Sequence, residues 1–445
     1  MELIYDFAVE GYGPAALGFT YKLAEMKSEA SIVIFELGTG IEERKHDDPT
    51  GCVCGIGGAG IFSDGKFSAH PAGTAVWNLP GIEDQIPTLI EMIGKDETGQ
   101  HRFTKDNFDI SSSRTMSPNS DHWSLKKYKS INIYLPDRCD MVAGWQKYSK
   151  SSLKNLEVHT SHMVIDWKKN DDGLYELTAH DLEMGKYVIV KARNLIMSGG
   201  RFSPLNSPSI KSHDVQRIFR RIEFGVRVET DADIFDKIKS LDRGTSLDPK
   251  YMKNAKYRNF DLQFRTFCVS RDGETVHTKI PIYRNRNIEY LQTFSGRSDV
   301  LPTKKTNFGC NIRILRQTKD SDDIFQDLFK AAIRTKFEIN LKDILANGFT
   351  EKVVSNSFEE YYGLEVASML SIALNDLFEQ FPELKNESTK FYGPTIEGVG
   401  LYPHIDPLTL KVNQENIYCI GDSGGIFRGL VQAIASGIWL ANQIG

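Results

Sequence analysis

The pattern of hydrophobic and polar positions opens with a β-prone run, Ile4 to Val9, that stops at glycines. From Pro14 to about Met26 the residues Ala15, Ala16, Phe19 and Leu23 recur at helical spacing, which predicts a helix. Ser31 to Phe35 is a second β-prone run, and it ends on Glu36. Leu156 to His159 and the residues up to Val190 read as short strands around an Asn170-Asp171-Asp172-Gly173 turn, followed by Leu195-Ile196-Met197 running into Ser198 and Gly199. Near the end, Asn416 to Ile420 predicts a last strand delivering Gly421 and Asp422, and Leu430 to about Gln443 a last helix.

Strand, glycine turn and helix in that order are what a dinucleotide site needs. Gly11 permits the tight turn, Gly13 lets backbone approach a pyrophosphate, and the helix opening at Pro14 and Ala15 offers free N–H groups and the positive end of its dipole. Ala16 takes the place of the third glycine, as the G-x-G-x-x-G/A fingerprint allows. Glu36, 20 positions after Ala16, stands where a carboxylate accepts hydrogen bonds from ribose hydroxyls and repels a 2′-phosphate. Glu10 precedes the first glycine directly, close to a phosphate unless its side chain is turned away.

Between residues 51 and 65 glycine recurs at 51, 55, 57, 58, 60 and 65, too often for a helix or a central strand. Backbone this bare suits the close approach of something flat and large. The run Gly57-Gly58-Ala59-Gly60-Ile61-Phe62-Ser63-Asp64-Gly65-Lys66 strongly resembles the signature of a group of poorly characterised FAD-dependent dehydrogenases with a glutathione-reductase-type FAD domain. The resemblance implies FAD, held noncovalently, with this run, Ser198 and Gly199 (Ser in place of the usual Thr) and the C-terminal Gly421, Asp422, Gly425, Gly429 and Leu430 as further cofactor residues. It implies that Asp422 holds the ribityl chain and that the last helix points its N-terminus at the flavin ring. Phe224 to Glu229 and Phe264 to Val269 resemble strands of the family's second domain. After Phe267-Cys268 the family tends toward Met-Cys-Pro-Gly-Gly, whereas this chain reads Val269-Ser270-Arg271-Asp272-Gly273, which leaves the substrate class open.

The expected fold is therefore α/β: a Rossmann-like FAD-binding domain with parallel sheet and β-meander, and an inserted α+β substrate domain. With 445 residues, 40% of them hydrophobic, two domains fit: residues 1–221 and 386–445 for FAD, 222–385 as the insert. Residues 67–140, which include the polar run Ser111 to Ser120, read as an excursion or lid. Acids and bases are interspersed at a net charge of −5, which argues against nucleic acid as a partner. Arg220-Arg221 and Lys304-Lys305 read as solvated faces. No apolar run is long enough for a membrane span and the first residues leave no room for a signal peptide, so a cytoplasmic protein is expected. Oligomeric state is left open.

The cysteines, Cys52, Cys54, Cys139, Cys268, Cys310 and Cys419, lack Cys-x-x-Cys spacing, which argues against a redox dithiol. Cys52 and Cys54 are expected to pack as small residues near the flavin. The scattered histidines predict no metal site. A second glycine fingerprint is missing after residue 200, so NAD(P)H, if used, binds transiently, or a small organic substrate supplies the hydride itself. His70, Tyr402 and His404 are the candidates for acid or base, and Phe264, Arg265, Tyr283 and Arg297 for lining a substrate pocket. Two other classes share these features. In an aromatic-hydroxylating monooxygenase Gly-Asp is normally followed by Ala-Ala-His-x-x-Pro, unlike Ser423-Gly424-Gly425; a non-catalytic protein would keep FAD as a structural core or lend its surface to a partner.

Overall fold

The computed structural model describes residues 3–110, 122–126, 128–206, 215–238, 250–284, 286–298, 302–413 and 415–445. Strand β1 (Ile4–Glu10) leads through the glycine turn into helix α1 (Pro14–Glu25) and back to β2 (Ile32–Phe35). The glycine-dense stretch follows, then β3 (Lys66–Ser68), β4 (Ser124–Lys126), β5 (Ser130–Asn132), β6 (Leu156–His159), β7 (His162–Lys169), β8 (Tyr175–Asp181) and β9 (Lys186–Met197). The order β6–β2–β1–β9 is parallel, and β18 (Ile417–Cys419), from the far end of the chain, extends it on the other side of β9. The first half of β9 pairs antiparallel with β8, and β8 with β7, so one strand belongs to both the parallel sheet and the meander. This is a Rossmann-like α/β arrangement, buried on both faces as parallel strands require.

A second, antiparallel sheet is built from β10 (Arg217–Asp231), β11 (Lys250–Tyr257), β12 (Phe260–Ser270), β15 (Lys305–Ile314), β16 (Phe337–Asn340) and β17 (Lys390–Pro403). Its order is β16–β17–β10–β15–β12–β11–β4, and a hairpin, β13 (Glu274–Arg284) with β14 (Asn287–Arg297), packs against it. The period of two is clean. Ile222, Phe224, Val226 and Val228, with Phe260, Leu262 and Phe264 and with Phe308, Cys310, Ile312 and Ile314, point into a core with the helices at Glu351–Tyr362 and Leu364–Gln380. The alternate residues, Arg221 and Glu223, Arg265, Asn311 and Arg313, form the opposite, polar face.

Two expectations change at this level, and the 67–140 segment gains detail. The glycine-dense stretch does hold one helical turn, Gly58–Ile61, short enough that its glycines cost little and led in by a left-handed Gly57. Arg221 is buried, because the alternation of β10 turns it to the inner polar face, where Glu223 and the Gly425 carbonyl accept its hydrogen bonds. Residues 67–140 contribute strands to two places: β5 pairs with β3, and β4 adds an edge to the second sheet. The polar run Ser111 to Ser120 lies outside the described residues. Among those residues, no helix is long and apolar enough to cross a membrane.

Candidate functional site: a meeting of glycine segments

Every parallel strand ends at the same edge, and the glycine segments that follow β1, β2, β9 and β18 meet there. Gly11 (φ +80°) follows β1 and approaches the end of β9 so closely that a Cβ on it would lie 2.9 Å from the Gly199 Cα. Ser198 fastens that approach: its hydroxyl and its N–H both donate to the Glu10 carbonyl, at 2.6 and 3.0 Å. Gly58 packs on the first turn of α1, 3.0 Å from Pro14 Cδ for a Cβ placed there, and the Gly57 N–H donates to the Tyr12 carbonyl at 3.0 Å. Gly60 abuts Leu430, the first residue of the last helix (Leu430–Ile444). Gly421 touches Ala15, and Ser423 accepts the Gly200 N–H at 2.9 Å. The result is a single turn, Gly58 to Gly60, wedged between the N-termini of the first and last helices. Neither helix has a side chain capping its first N–H groups, Gly13 and Gly429 being the cap residues. Uncapped donors and two helix dipoles at one place are suited to an anion.

Glu36 is buried and its carboxylate accepts three backbone N–H groups: Tyr12 at 2.6 Å, Gly38 at 2.9 Å and Gly55 at 2.9 Å. It knits the first glycine turn to the glycine-dense loop, and of its roughly four lone-pair positions one is left. Arg44, which sequence reasoning missed, braces the same loop from inside. It donates to the carbonyls of Gly51, Ile56 and Gly58 at 2.9 to 3.0 Å and stacks 4.1 Å from the Phe62 ring. Glu10 is turned away from the turn: its carboxylate lies beneath Gly199, next to Ser203. Burial there, against the opposing pull of Ser203 and with a smaller push from the Glu36 charge, raises its pKa to about 7.

The polar end of the glycine-rich signature points elsewhere. Asp64 and Lys66 form an ion pair at 2.8 Å, Lys66 also donates to the Val269 carbonyl, and Ser298 donates to the Asp64 carbonyl at 3.0 Å. These bonds tie the signature to β12 of the second sheet and to the residue that follows β14 of the hairpin. Ser63 closes its own turn on Gly60, and Gly65 packs on Arg138.

Asp422 sits in a buried charged cluster that no sequence motif announced. Its Oδ2 accepts from Arg201 Nε at 3.1 Å and lies 3.5 Å from Arg428 Nε; its Oδ1 is buried and, among the described residues, has no hydrogen-bond partner. Arg428 also reaches Glu223 at 2.8 Å and Glu397, while Arg201 pairs with Glu397. Glu223 further receives Arg313 at 2.9 Å and Arg221 at 3.2 Å, with Arg265 at 3.5 Å. Burial pushes the Glu223 carboxyl up, but the guanidinium groups of Arg428, Arg265, Arg221 and Arg201 outweigh it and hold its pKa near 2. The one available signal was the alternation of β10, which sets Arg221 and Glu223 on a common face.

Of the acid and base candidates, Tyr402 is buried with its ring under Gly425, and its hydroxyl accepts the Val399 N–H at 3.1 Å. His404, just past β17, is exposed. His70 packs edge-on against Trp77, and burial lowers its pKa. Of the expected pocket residues, only Arg265 comes to the cluster. Phe264 lies in the core of the second sheet, the Tyr283 N–H donates to Asn206, and Arg297 bridges Glu274 and the His46 carbonyl. Cys52 and Cys54 are free and buried; burial pushes the Cys52 thiol up to about 11 and the Cys54 thiol higher.

No protein-family model and no curated protein matches the chain. Among solved structures it is similar to CtdE in complex with FAD, at 12% identity and a TM-score of 0.36 over 99% of this chain and 84% of that one. It is similar also to aklavinone-11 hydroxylase with FAD and aklavinone, at 9% and 0.41 over 100% of this chain and 62% of that one. Glycine oxidase from Geobacillus kaustophilus gives 11% and 0.38 over 99% and 94%. Likeness this low assigns no residue a role, and the reading of the site rests on its own geometry.

Proposed function

We propose that the chain binds FAD at the meeting of its glycine segments and is an FAD-dependent oxidoreductase, a dehydrogenase or reductase acting on a medium-sized organic molecule. The observation that carries this is the wedge of Gly58 to Gly60 between two uncapped helix N-termini, with a buried Asp422 Oδ1 that accepts no hydrogen bond among the described residues and has the Arg221 guanidinium 3.8 Å away. The donors suit a pyrophosphate, the bare glycine backbone suits a flat ring, and a buried carboxylate oxygen without a donor suits a ribityl hydroxyl.

In this reading FAD supplies hydride transfer at the flavin N5, and the protein supplies binding, orientation and electrostatics. The first turn of α1 holds the diphosphate and Glu36 the adenosine ribose through its remaining lone pair. Asp422 fixes the ribityl chain and is itself fixed by Arg201 and Arg428. The last helix would turn the positive end of its dipole toward the ring. The second sheet, tied on by Lys66 and Ser298, excludes water from the other side.

The test is an anaerobic screen of metabolites, with NADH and NADPH included, for bleaching of the flavin band. Bleaching by an organic compound alone marks a dehydrogenase, and bleaching by NADPH at catalytic speed a reductase. Bleaching by NADPH only when an aromatic substrate is present, with oxygen then consumed, marks a monooxygenase. A flavin that no compound reduces contradicts an enzymatic role.

A further inference from the structure

Glu10 ends β1 and stands directly before the first glycine of the turn, yet the cofactor site makes no use of its side chain. The carboxylate occupies the space that Gly199 leaves free: a Cβ on Gly199 would overlap Glu10 Oε1 and would meet the Ser203 Cβ at 2.9 Å. Gly199 is in turn the residue against which Gly11 rests. One thickness of backbone therefore separates the carboxylate from the glycine turn. That backbone is fixed, because Ser198 holds the Glu10 carbonyl through both its N–H and its hydroxyl.

The groups around the carboxylate supply no counter-charge. Glu36, at the end of the neighbouring strand β2, is a second carboxylate. Cys419 of β18 is a thiol whose pKa is raised, first by burial and then by the Glu10 charge, so it stays neutral. Ser203 offers only a hydroxyl. Arg201, two residues beyond Gly199, is committed to Asp422 and Glu397, and Arg44 donates to the carbonyls of the glycine-dense loop. Among the described residues Glu10 makes no ion pair. Burial favours the protonated form, Ser203 opposes it, the Glu36 charge adds to it, and the carboxyl comes to rest at a pKa of about 7. The residue keeps partial exposure, which leaves its proton in exchange with water.

A diphosphate brings two negative charges to the other side of this backbone layer. Between partly buried groups the effective dielectric constant is roughly 20 against roughly 80 in water, so like charges there repel several times more strongly than in solvent. We propose that Glu10 is a proton gate on the cofactor: FAD binds with the Glu10 carboxyl protonated, and the ionised carboxylate weakens its hold. The inference rests on the FAD reading of the site. The proton comes from solvent, so FAD binding above neutral pH takes up a fraction of a proton and release returns it, with no other bond made or broken. An apolar residue at this position would leave FAD retention indifferent to pH; glutamate makes it fall as pH rises.

The apoprotein is titrated with FAD between about pH 6 and 8.5 at constant ionic strength, and the dissociation constant is read from flavin fluorescence. The wild-type Kd is expected to rise at least about fivefold over this range, since linkage to one proton approaches a tenfold change per pH unit above the pKa of the free chain. Glu10→Gln, uncharged at every pH and of similar shape, is expected to bind like wild type at pH 6 and to change less than about twofold. Calorimetry at pH 7.5 in two buffers of different ionisation enthalpy counts the proton itself: wild type is expected to take up on the order of half a proton per FAD more than Glu10→Gln. A purely structural role for Glu10 would shift affinity equally at all pH values and leave the proton count alone. Parallel pH profiles in the two proteins overturn the proposal, and so does a wild-type protein that takes up no proton, which needs no variant to observe. A chain that binds no FAD even at pH 6 sinks the cofactor reading, and this one with it; a chain that binds FAD equally well at pH 6 and 8.5 sinks the gate alone.

Discussion

Gly437 in the last helix packs directly on the Ala15 carbonyl in the first, so closely that a Cβ at 437 would overlap the oxygen, and Gly18 makes the reciprocal contact on the Ile434 backbone. The two ends of the chain are thus locked backbone to backbone, and this contact sets Gly13 and Gly429 on either side of Gly58 to Gly60. Gly437→Ala should therefore destabilise the whole domain by about 1–3 kcal/mol, as overpacking does. A melting temperature within error of wild type would show that the helices can separate without cost.

Asp422 accepts a hydrogen bond from Arg201 on one oxygen, while the other accepts none among the described residues and lies 3.8 Å from the Arg221 guanidinium. Asp422→Asn keeps the shape but weakens the hold of Arg201, and Asp422→Ala removes both oxygens. The alanine variant should lose about 1–3 kcal/mol of FAD affinity, and the asparagine variant less. Fluorescence titration of the apoprotein with FAD reads the difference. Equal affinity in all three proteins would take Asp422 out of the site.

Stability should depend on pH through Glu10. Its pKa of about 7 in the folded chain stands above the ordinary carboxylate value, so the folded state prefers the protonated form. The associated stability is fully present below about pH 4.5 and is lost as pH rises toward 7, on the order of 2–3 kcal/mol in all. Glu10→Gln cannot ionise, so its Tm should exceed that of wild type by a margin that widens between pH 5 and 8. A margin that stays constant would place the Glu10 carboxylate in water.

How much of this was legible beforehand depended on whether the signal was local. The β1 turn and helix α1 were readable because glycine, proline and a helical apolar period sit side by side in Gly11 to Leu23. Glu36 was placed correctly at the end of β2, but its three N–H partners come from Tyr12, Gly38 and Gly55, and a list of residues does not show which backbone amides will converge on a carboxylate. The arginine cluster was invisible for the same reason. Arg201, Arg221, Glu223, Glu397, Asp422 and Arg428 come from five separate segments, and Arg220-Arg221 read alone looks like a solvated pair. Lys126 and Lys250 are 124 positions apart and become neighbours only through strand register.

The thiols should be inert. Burial raises the pKa of Cys52 to about 11 and of Cys310 to about 12, and both are fully protonated at neutral pH. Iodoacetamide at pH 7.5 should label neither in the native protein and both after denaturation. Rapid native labelling of Cys52 would reveal an activated thiolate and reopen a redox role for the Cys52-Val53-Cys54 segment.

The central claim is that the joined ends of the chain hold FAD, and the most direct measurement is the flavin content of the folded protein. The chain, purified and reconstituted with FAD, then dialysed extensively, should retain about one FAD per chain, released unchanged on denaturation; Gly425→Val, which drives a side chain into the Tyr402 ring, should retain far less while remaining folded. A folded wild-type protein that keeps no flavin, that releases FMN, or that Gly425→Val matches in occupancy and spectrum would contradict the account.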